Sequence, residues 1–245
     1  MAETSAVKIV QAKSVSFAVD VKDMLEAGCH FGHQAQRWSP KMKQYIYATK
    51  NGVHIFDLFK TAQKLEEACQ FMYNTAKEGK SVVFIGTKRQ AQDILKEEAI
   101  AAGAPFIAVR WLGGTISNWD QIKKSLDKMK KLKKDREEGK LDMFTKKERV
   151  LIDKDISRLE RFLGGIESLA TFPDALFVVD IRKEENAVKE AKAKGIPVVA
   201  IVDSNCDPTQ VTHPIPANDD AVRSIKLLVH AVATAYKEGR EACKK

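Results

Sequence analysis

Ser81-Val82-Val83-Phe84-Ile85 is an unbroken apolar run, followed by Gly86-Thr87-Lys88 and then by a helix-forming stretch, Arg89–Ala102, that stops at Gly103. A strand that is apolar on both faces is buried on both sides, which is characteristic of a parallel sheet. The pattern repeats outward from this point. Phe106–Val109 reads as the next strand. Ala175–Val179 (ALFVV) and Val198–Val202 (VVAIV) are two more, separated by a helix over Lys183–Lys194 and its closing Gly195-Ile196-Pro197. A short strand near Pro214–Pro216 completes the sheet, and Asn218 or Asp219 caps a last helix that runs to about Tyr236. This alternation predicts an α/β fold: a Rossmann-like parallel sheet with helices on both faces.

Upstream, Asp20 caps a short helix that Gly28 closes. Gln44–Ala48 and Val53–Phe56 read as strands joined at Asn51-Gly52, a hairpin-turn signal. Asp57 then caps a long helix with Leu58, Ala62, Leu65, Cys69 and Met72 on one face. Residues 1–16, small and weakly patterned, read as a tail, as do residues 238–245.

The sheet pattern is interrupted between its second and third strands. Trp119, Ile122, Leu126 and Met129 form one apolar seam, and Ile152, Ile156, Leu159, Leu163 and Ile166 form another. Two seams around a turn near Glu137–Lys140 predict an antiparallel coiled-coil hairpin over 119–167, inserted into a body made of 17–118 and 168–237. The insertion carries the charge. Residues 121–163 hold fifteen Lys/Arg against nine Asp/Glu, a net of +6 in a chain whose total is +8. A charged arm on a compact body suggests docking onto a polyanion.

With 245 residues and 44% hydrophobic content, the chain has enough apolar material for a substantial core. A pI near 9.2 favours an acidic partner. No apolar run reaches the length of a membrane span, and no amphipathic helix has a lysine-flanked aromatic face, so no membrane partner is expected. The first residues lack the charged-then-apolar pattern of a secretory signal. Four scattered cysteines (Cys29, Cys69, Cys206, Cys243) suit a reducing compartment better than a disulfide framework.

Three segments are candidates for RNA contact. Gly86-Thr87-Lys88-Arg89 opens a helix after a strand, where amides and two cations can meet a phosphate, although neither common nucleotide fingerprint occurs. Arg110-Trp111-Leu112-Gly113-Gly114 lies at a strand's carboxyl end, with Arg110 placed for phosphate and Trp111 either stacking on a base or anchoring the loop. Trp119, at the start of the seam, reads as a core anchor. Arg37-Trp38-Ser39-Pro40-Lys41-Met42-Lys43 interleaves cations with aromatics, as single-stranded RNA requires, though lysines also guard sheet edges. The expected RNA-binding set is Arg37, Trp38, Lys41, Lys43, Lys88, Arg89 and Arg110 on the body, with Lys123, Lys124, Lys130, Lys133 and Lys134 on the hairpin.

Other clusters read more plainly. Asp180, Asp203, Asp207, Asp219 and Asp220 near strand ends could hold magnesium for phosphoryl transfer, but turn and cap chemistry accounts for them more cheaply. Cys29, His30 and His33 could begin a zinc site, but no second cluster completes four ligands. No cofactor or catalytic set is therefore expected.

Seven separated blocks resemble one family, the bacterial and organellar type of small ribosomal subunit protein two. They are Phe31-Gly32-His33, Arg37–Met42, Asn51–Ile55, Phe84–Ala91, Arg110–Thr115, Pro173–Asp180 and Ile215–Ser224. The resemblance runs from about Phe17 to Tyr236, with Ser39 and Ser204 departing from an expected Asn and Thr. It implies a flavodoxin-like sheet with a protruding coiled-coil hairpin. It also implies a structural, rRNA-binding component of the small subunit, located on a cytoplasmic ribosome or one of an organelle stroma or matrix. Its implied partners are small-subunit rRNA and neighbouring proteins, including the large ribosomal protein one, and not DNA. Two other readings stand beside it: a nucleotide- or phosphate-ester-binding α/β enzyme using the strand-end acids, and a protein-interaction scaffold using the hairpin as its arm.

Overall fold

The computed structural model describes residues 17–244; the tail assigned to 1–16 lies outside them. Helix α1 (Val21–Ala27) starts at Asp20, whose side chain accepts from the Lys22 amide, and stops at Gly28 with φ 78°. Strand β1 (Phe31–Gln34) follows. The segment expected to begin a strand at Gln44 is instead a 3-10 turn over Pro40–Tyr45. Proline suits its first turn, and Met42 and Tyr45, three apart, bury together. Strand β2 (Ile46–Lys50) and strand β3 (Val53–Phe56) then form the hairpin, with Asn51 (φ 51°) and Gly52 (φ 74°) supplying the left-handed turn. Order β1-β3-β2 makes a small antiparallel sheet.

Helix α2 (Leu58–Lys77) is capped by Asp57. Strand β4 (Val82–Ile85) leads through a turn at Lys88–Ala91 to α3 (Gln92–Ala102), which begins three residues later than the sequence suggested. Strand β5 is only Phe106–Ile107. Helices α4 (Trp119–Glu137) and α5 (Lys146–Leu163) make up the insertion, with a capping box between Thr145 and Glu148 starting α5. Strand β6 (Ala175–Val179), α6 (Glu185–Ala193), β7 (Val198–Val202), β8 (His213–Pro216) and α7 (Val222–Cys243) complete the chain. The five strands β5-β4-β6-β7-β8 are all parallel. Numbered within the sheet, that order is 2-1-3-4-5, the flavodoxin-like winding.

Alternate residues of each strand feed two cores. Phe84, Phe177, Val199 and Ile201 pack with α2, α3 and α7. Val83, Ile85, Leu176, Val178 and Val202 pack with α6 and with Trp119, Ile122, Leu126, Met129 and Leu163 of the insertion. The root of the helical pair is thus part of the body's core, and Trp119 is an anchor within it. Helix α7 passes Tyr236 to Cys243, correcting the expected C-terminal tail. Gly239 lets it approach α2, where a Cβ would meet the Tyr73 carbonyl oxygen at 2.4 Å. Arg240 donates to the carbonyls of Ala102 (3.4 Å) and Gly103 at the end of α3.

Candidate nucleic-acid interface

In an open parallel sheet, ligands bind beyond the carboxyl ends of the strands. Two layers of charge meet at that edge here, one acidic and buried, the other basic and open.

The buried layer is built from strand ends. Asp180 terminates β6 with φ 67° and accepts from the amides of Arg182 (3.0 Å) and Lys183 (3.1 Å). Asp203 follows β7 and Asp219 follows β8, both almost wholly buried. Lys88 leaves the turn after β4 and places Nζ at 2.6 Å from Asp219, 2.7 Å from Asp220 and 3.1 Å from Asp180. Burial works against this ammonium, but Asp219, Asp220 and Asp180 outweigh it and hold its pKa above the ordinary value. Asp219 moves the other way: burial, then Asp203 and Asp180, push it up to about 7 despite Lys88. His33, on β1, sits with Nδ1 at 3.0 Å from Asp203, and that hydrogen bond raises its pKa. Beneath them Glu184 accepts from the Thr87 amide (3.1 Å) and hydroxyl, with burial raising its own pKa. These aspartates were expected as turn and cap residues. Asp203 and Asp219 are instead interior, because β7 and β8 end beneath β1. Asn218 does the turn's work, accepting from the amides of Asp220 (2.9 Å) and Ala221 (3.3 Å).

The open layer is a rim of loops. Arg37 and Trp38, together with Arg182, Asn205, Asp207 and Gln210, line a cleft of about 630 Å³. Trp38 keeps 37% of its surface exposed and lies against the His54 ring at 5.1 Å. The Ser39 amide donates to the Ser204 carbonyl (2.7 Å), which fixes this loop on the sheet edge. Across the edge, Glu190 of α6 organises the Arg110 loop. It accepts from Trp111 Nε1 (3.2 Å), from the amides of Gly114 (2.9 Å), Ile116 (3.1 Å) and Ser117 (3.1 Å), and from the Ser117 hydroxyl (3.1 Å). Burial resists its charge, but these donors hold the Glu190 pKa below the usual carboxylate range. Trp111 is therefore the loop's anchor, buried to 7% exposure, and not a free stacking platform.

The expected RNA-binding residues fall into two groups. Arg37, Lys43, Arg89, Arg110, Lys123, Lys124 and Lys130 are exposed, with no ion-pair partner among the described residues. The others are engaged. Lys41 pairs with Asp207 at 2.7 Å, Lys133 with Glu160 (3.0 Å) and Glu167 (3.4 Å), and Lys134 loosely with Glu138 at 3.7 Å. Lys88 is the clearest case: its charge is spent inside the protein. Sequence reading missed Glu190. Its only trace is an acidic residue in a helix that faces a glycine-containing loop 76 residues away. Cys29 and His30 do not join His33. Among the described residues the group that could hold a metal ion is His33, Asp203 and Asp219.

Fold and edge together define a class: a flavodoxin-order α/β body whose ligand-side loops form an open, largely cationic rim. The family within that class is shown by sequence. The family model of Ribosomal protein S2 matches residues 24–239, and the chain belongs to that family. It is accordingly a ribosomal protein of the small subunit with a structural part in translation, in a family that is not one of enzymes. No helix among the described residues is long and apolar enough to cross a membrane.

Proposed function

We propose that this chain, of the bacterial or organellar type, is an rRNA-binding scaffold that grips two RNA elements at once. The observation that carries this reading is the segregation of cations. Arg37, Lys43, Arg89 and Arg110 stand open on the rim, Lys123, Lys124 and Lys130 stand open on α4, and Asp180, Asp203 and Asp219 of the sheet edge are turned inward. The rim meets phosphates, and Trp38 offers a ring face to an unpaired base. The helical pair, as a protruding coiled-coil hairpin, reaches a second region. Two contacts on one rigid body fix the relative position of the RNA elements through effective concentration. Lys41, Lys88, Lys133 and Lys134 contribute less, because carboxylates already hold them. The far end of the pair suits a protein partner, consistent with docking of the large ribosomal protein one. Leu151 (55% exposed) and Val150 (47%) form an apolar patch there, next to Lys146, Lys147 and Lys154.

Binding of the chain to small-subunit rRNA across a salt series tests the reading. With about six phosphates neutralised, log K falls against log salt with a slope of magnitude ~5. A salt-independent affinity would remove the phosphate grip. In a sucrose gradient the chain is expected to travel with the small subunit and to leave it after RNase treatment.

A further inference from the structure

We propose that the cleft between the Arg37–Ser39 loop and the ends of β6 and β7 takes one unpaired nucleotide of an RNA strand, with Trp38 stacked on its base and Arg37 and Arg182 on its flanking phosphates. This rests on the rRNA-binding reading above and adds a single-nucleotide pocket to it, with Arg182 and Gln210 as members that the sequence reading did not single out. The cleft holds about 630 Å³, within the roughly 300–1,000 Å³ typical of ligand pockets. Its lining comes from three separate segments: the loop after β1, the turn after β6 with Ile181 and Arg182, and the loop after β7 with Asn205 and Gln210.

The stacking platform is formed in advance. Trp38 lies against the His54 ring at 5.1 Å, and His54, itself buried, is held by Thr49 Oγ1 at 3.0 Å from Nδ1. The loop that carries Trp38 is pinned by the Ser39 amide on the Ser204 carbonyl (2.7 Å) and by Lys41 on Asp207 (2.7 Å). An aromatic ring held in this way loses little freedom when a base stacks on it. Ile181 and Cys206, both almost wholly buried, supply an apolar floor.

Charge is sorted in the same sense, because both acids of the cleft are already occupied. Asp207 accepts from Lys41 through Oδ2 and from the Thr209 amide (3.0 Å) and hydroxyl (2.7 Å) through Oδ1. Glu185 pairs with Lys189 at 2.6 Å. Arg37 and Arg182 have no ion-pair partner among the described residues, so the open charge of the cleft is cationic. The polar groups left over are amides. Asn205 Oδ1 accepts from Cys206 Sγ (2.9 Å), which leaves the Asn205 N–H₂ group to donate, and the Gln210 side chain has no hydrogen-bond partner among the described residues. Amides of this kind hydrogen-bond to a base edge, which a bare phosphate does not offer. A free nucleotide carries the same base and phosphate. The strand is favoured because Arg37 belongs both to the cleft and to the cationic rim, so a path for phosphates continues out of the pocket.

Trp111 and Trp119 are buried, so Trp38 is the exposed indole and reports on the cleft. With the purified full-length chain, single-stranded oligoadenylate is expected to quench the emission that Trp38→Phe removes, and a blunt-ended RNA duplex is not. Against small-subunit rRNA, Trp38→Ala is expected to weaken binding roughly 5- to 150-fold, the loss of one base stack, with Trp38→Phe recovering part of it. Arg182→Gln is expected to lower the magnitude of the salt slope by about 1, and Gln210→Ala to weaken binding without changing that slope. Should Trp38→Ala lower the Tm, Arg182→Gln and Gln210→Ala, both at exposed positions, decide. Salt-dependent rRNA binding that is indifferent to Trp38→Ala and Arg182→Gln would overturn the pocket and leave the scaffold reading standing. No rRNA binding at all would remove both. Adenosine monophosphate that quenches Trp38 as tightly as oligoadenylate would make the occupant a free nucleotide and overturn the strand. Equal quenching by duplex and single strand would overturn the base stack and leave a phosphate contact alone.

Discussion

The Arg110–Ser117 loop and the outer half of the helical pair are both basic, yet they are held in opposite ways. The loop is fixed from beneath by one carboxylate, Glu190, which gathers three amides, an indole N–H and a hydroxyl. The outer pair is laced by exposed ion pairs such as Lys128–Asp155 (3.7 Å) and Arg136–Asp153 (3.8 Å), which contribute little to stability. The rim's cations are therefore positioned by the fold. Those of the outer pair depend on the helices alone. Net charge does not separate the two cases; what lies under the charge does.

The largest test of this contrast is deletion. Removing residues 121–163 takes away Ile122, Leu126, Met129 and Leu163, which fill the second core. The expected product is a molten or unfolded body, seen as lost near-ultraviolet dichroism. Replacing only residues 137–152 with a short linker joins the helices where Arg136 already meets Asp153 and keeps those core residues. That variant is expected to melt within a few degrees of the parent and to keep its RNA affinity, because Lys123, Lys124 and Lys130 remain, while it loses the Val150–Leu151 patch. If the larger deletion stayed cooperative, the root of the pair would not belong to the body.

Next in size is Lys88→Gln, which leaves Asp180 and Asp219 without their cation in a mostly buried site. A loss of about 3 kcal/mol is expected in urea unfolding, since breaking a buried ion pair from one side strands the other charge. The consequence for RNA binding should follow stability and leave the salt slope unchanged.

How much of this was legible follows from which residues carry the structure. The parallel sheet was readable because VVFI, ALFVV and VVAIV are buried on both faces and so are apolar throughout. The hairpin turn was readable because Asn51-Gly52 adopts a left-handed conformation that few other pairs tolerate. Strand β1, Phe31–Gln34, was not: it is short, half-exposed and defined only by its pairing with β3. The buried acid layer was equally hidden. Its members come from five separate segments, and each alone resembles an ordinary turn residue. The open rim residues were visible as charges, but which of them were already spent depended on partners more than a hundred residues away, such as Asp219 for Lys88.

Glu190→Ala comes third. It leaves four N–H donors without an acceptor, and a loss of about 1–3 kcal/mol is expected, with faster hydrogen exchange at Gly114, Ile116 and Ser117. Because the folded-state pKa of Glu190 is lowered, its contribution is full above the unfolded carboxylate value, about 4.3, and fades as pH falls through the lower folded value. The variant's acid-unfolding curve should therefore be flatter than the parent's at the acidic end. A parallel curve would mean that the carboxylate's charge is not what holds the loop.

The smallest effect is also the most discriminating, because it compares neighbours. Lys88 and Arg89 are adjacent, equally basic and equally suspect from sequence. Lys88 points among carboxylates, whereas Arg89 is exposed and has no ion-pair partner among the described residues. Arg89→Gln should leave the Tm unchanged, since it breaks no described contact. It should weaken rRNA binding by a modest factor and lower the magnitude of the salt slope by about 1, the signature of one lost phosphate contact. Lys88→Gln should do the reverse, lowering stability while the slope holds. If both substitutions lowered the slope alike, the ion cluster would open on binding and release Lys88 to the RNA. If Arg89→Gln left both affinity and slope unchanged, the turn after β4 would lie outside the RNA contact, and the rim would be reduced to the Arg37 and Arg110 loops.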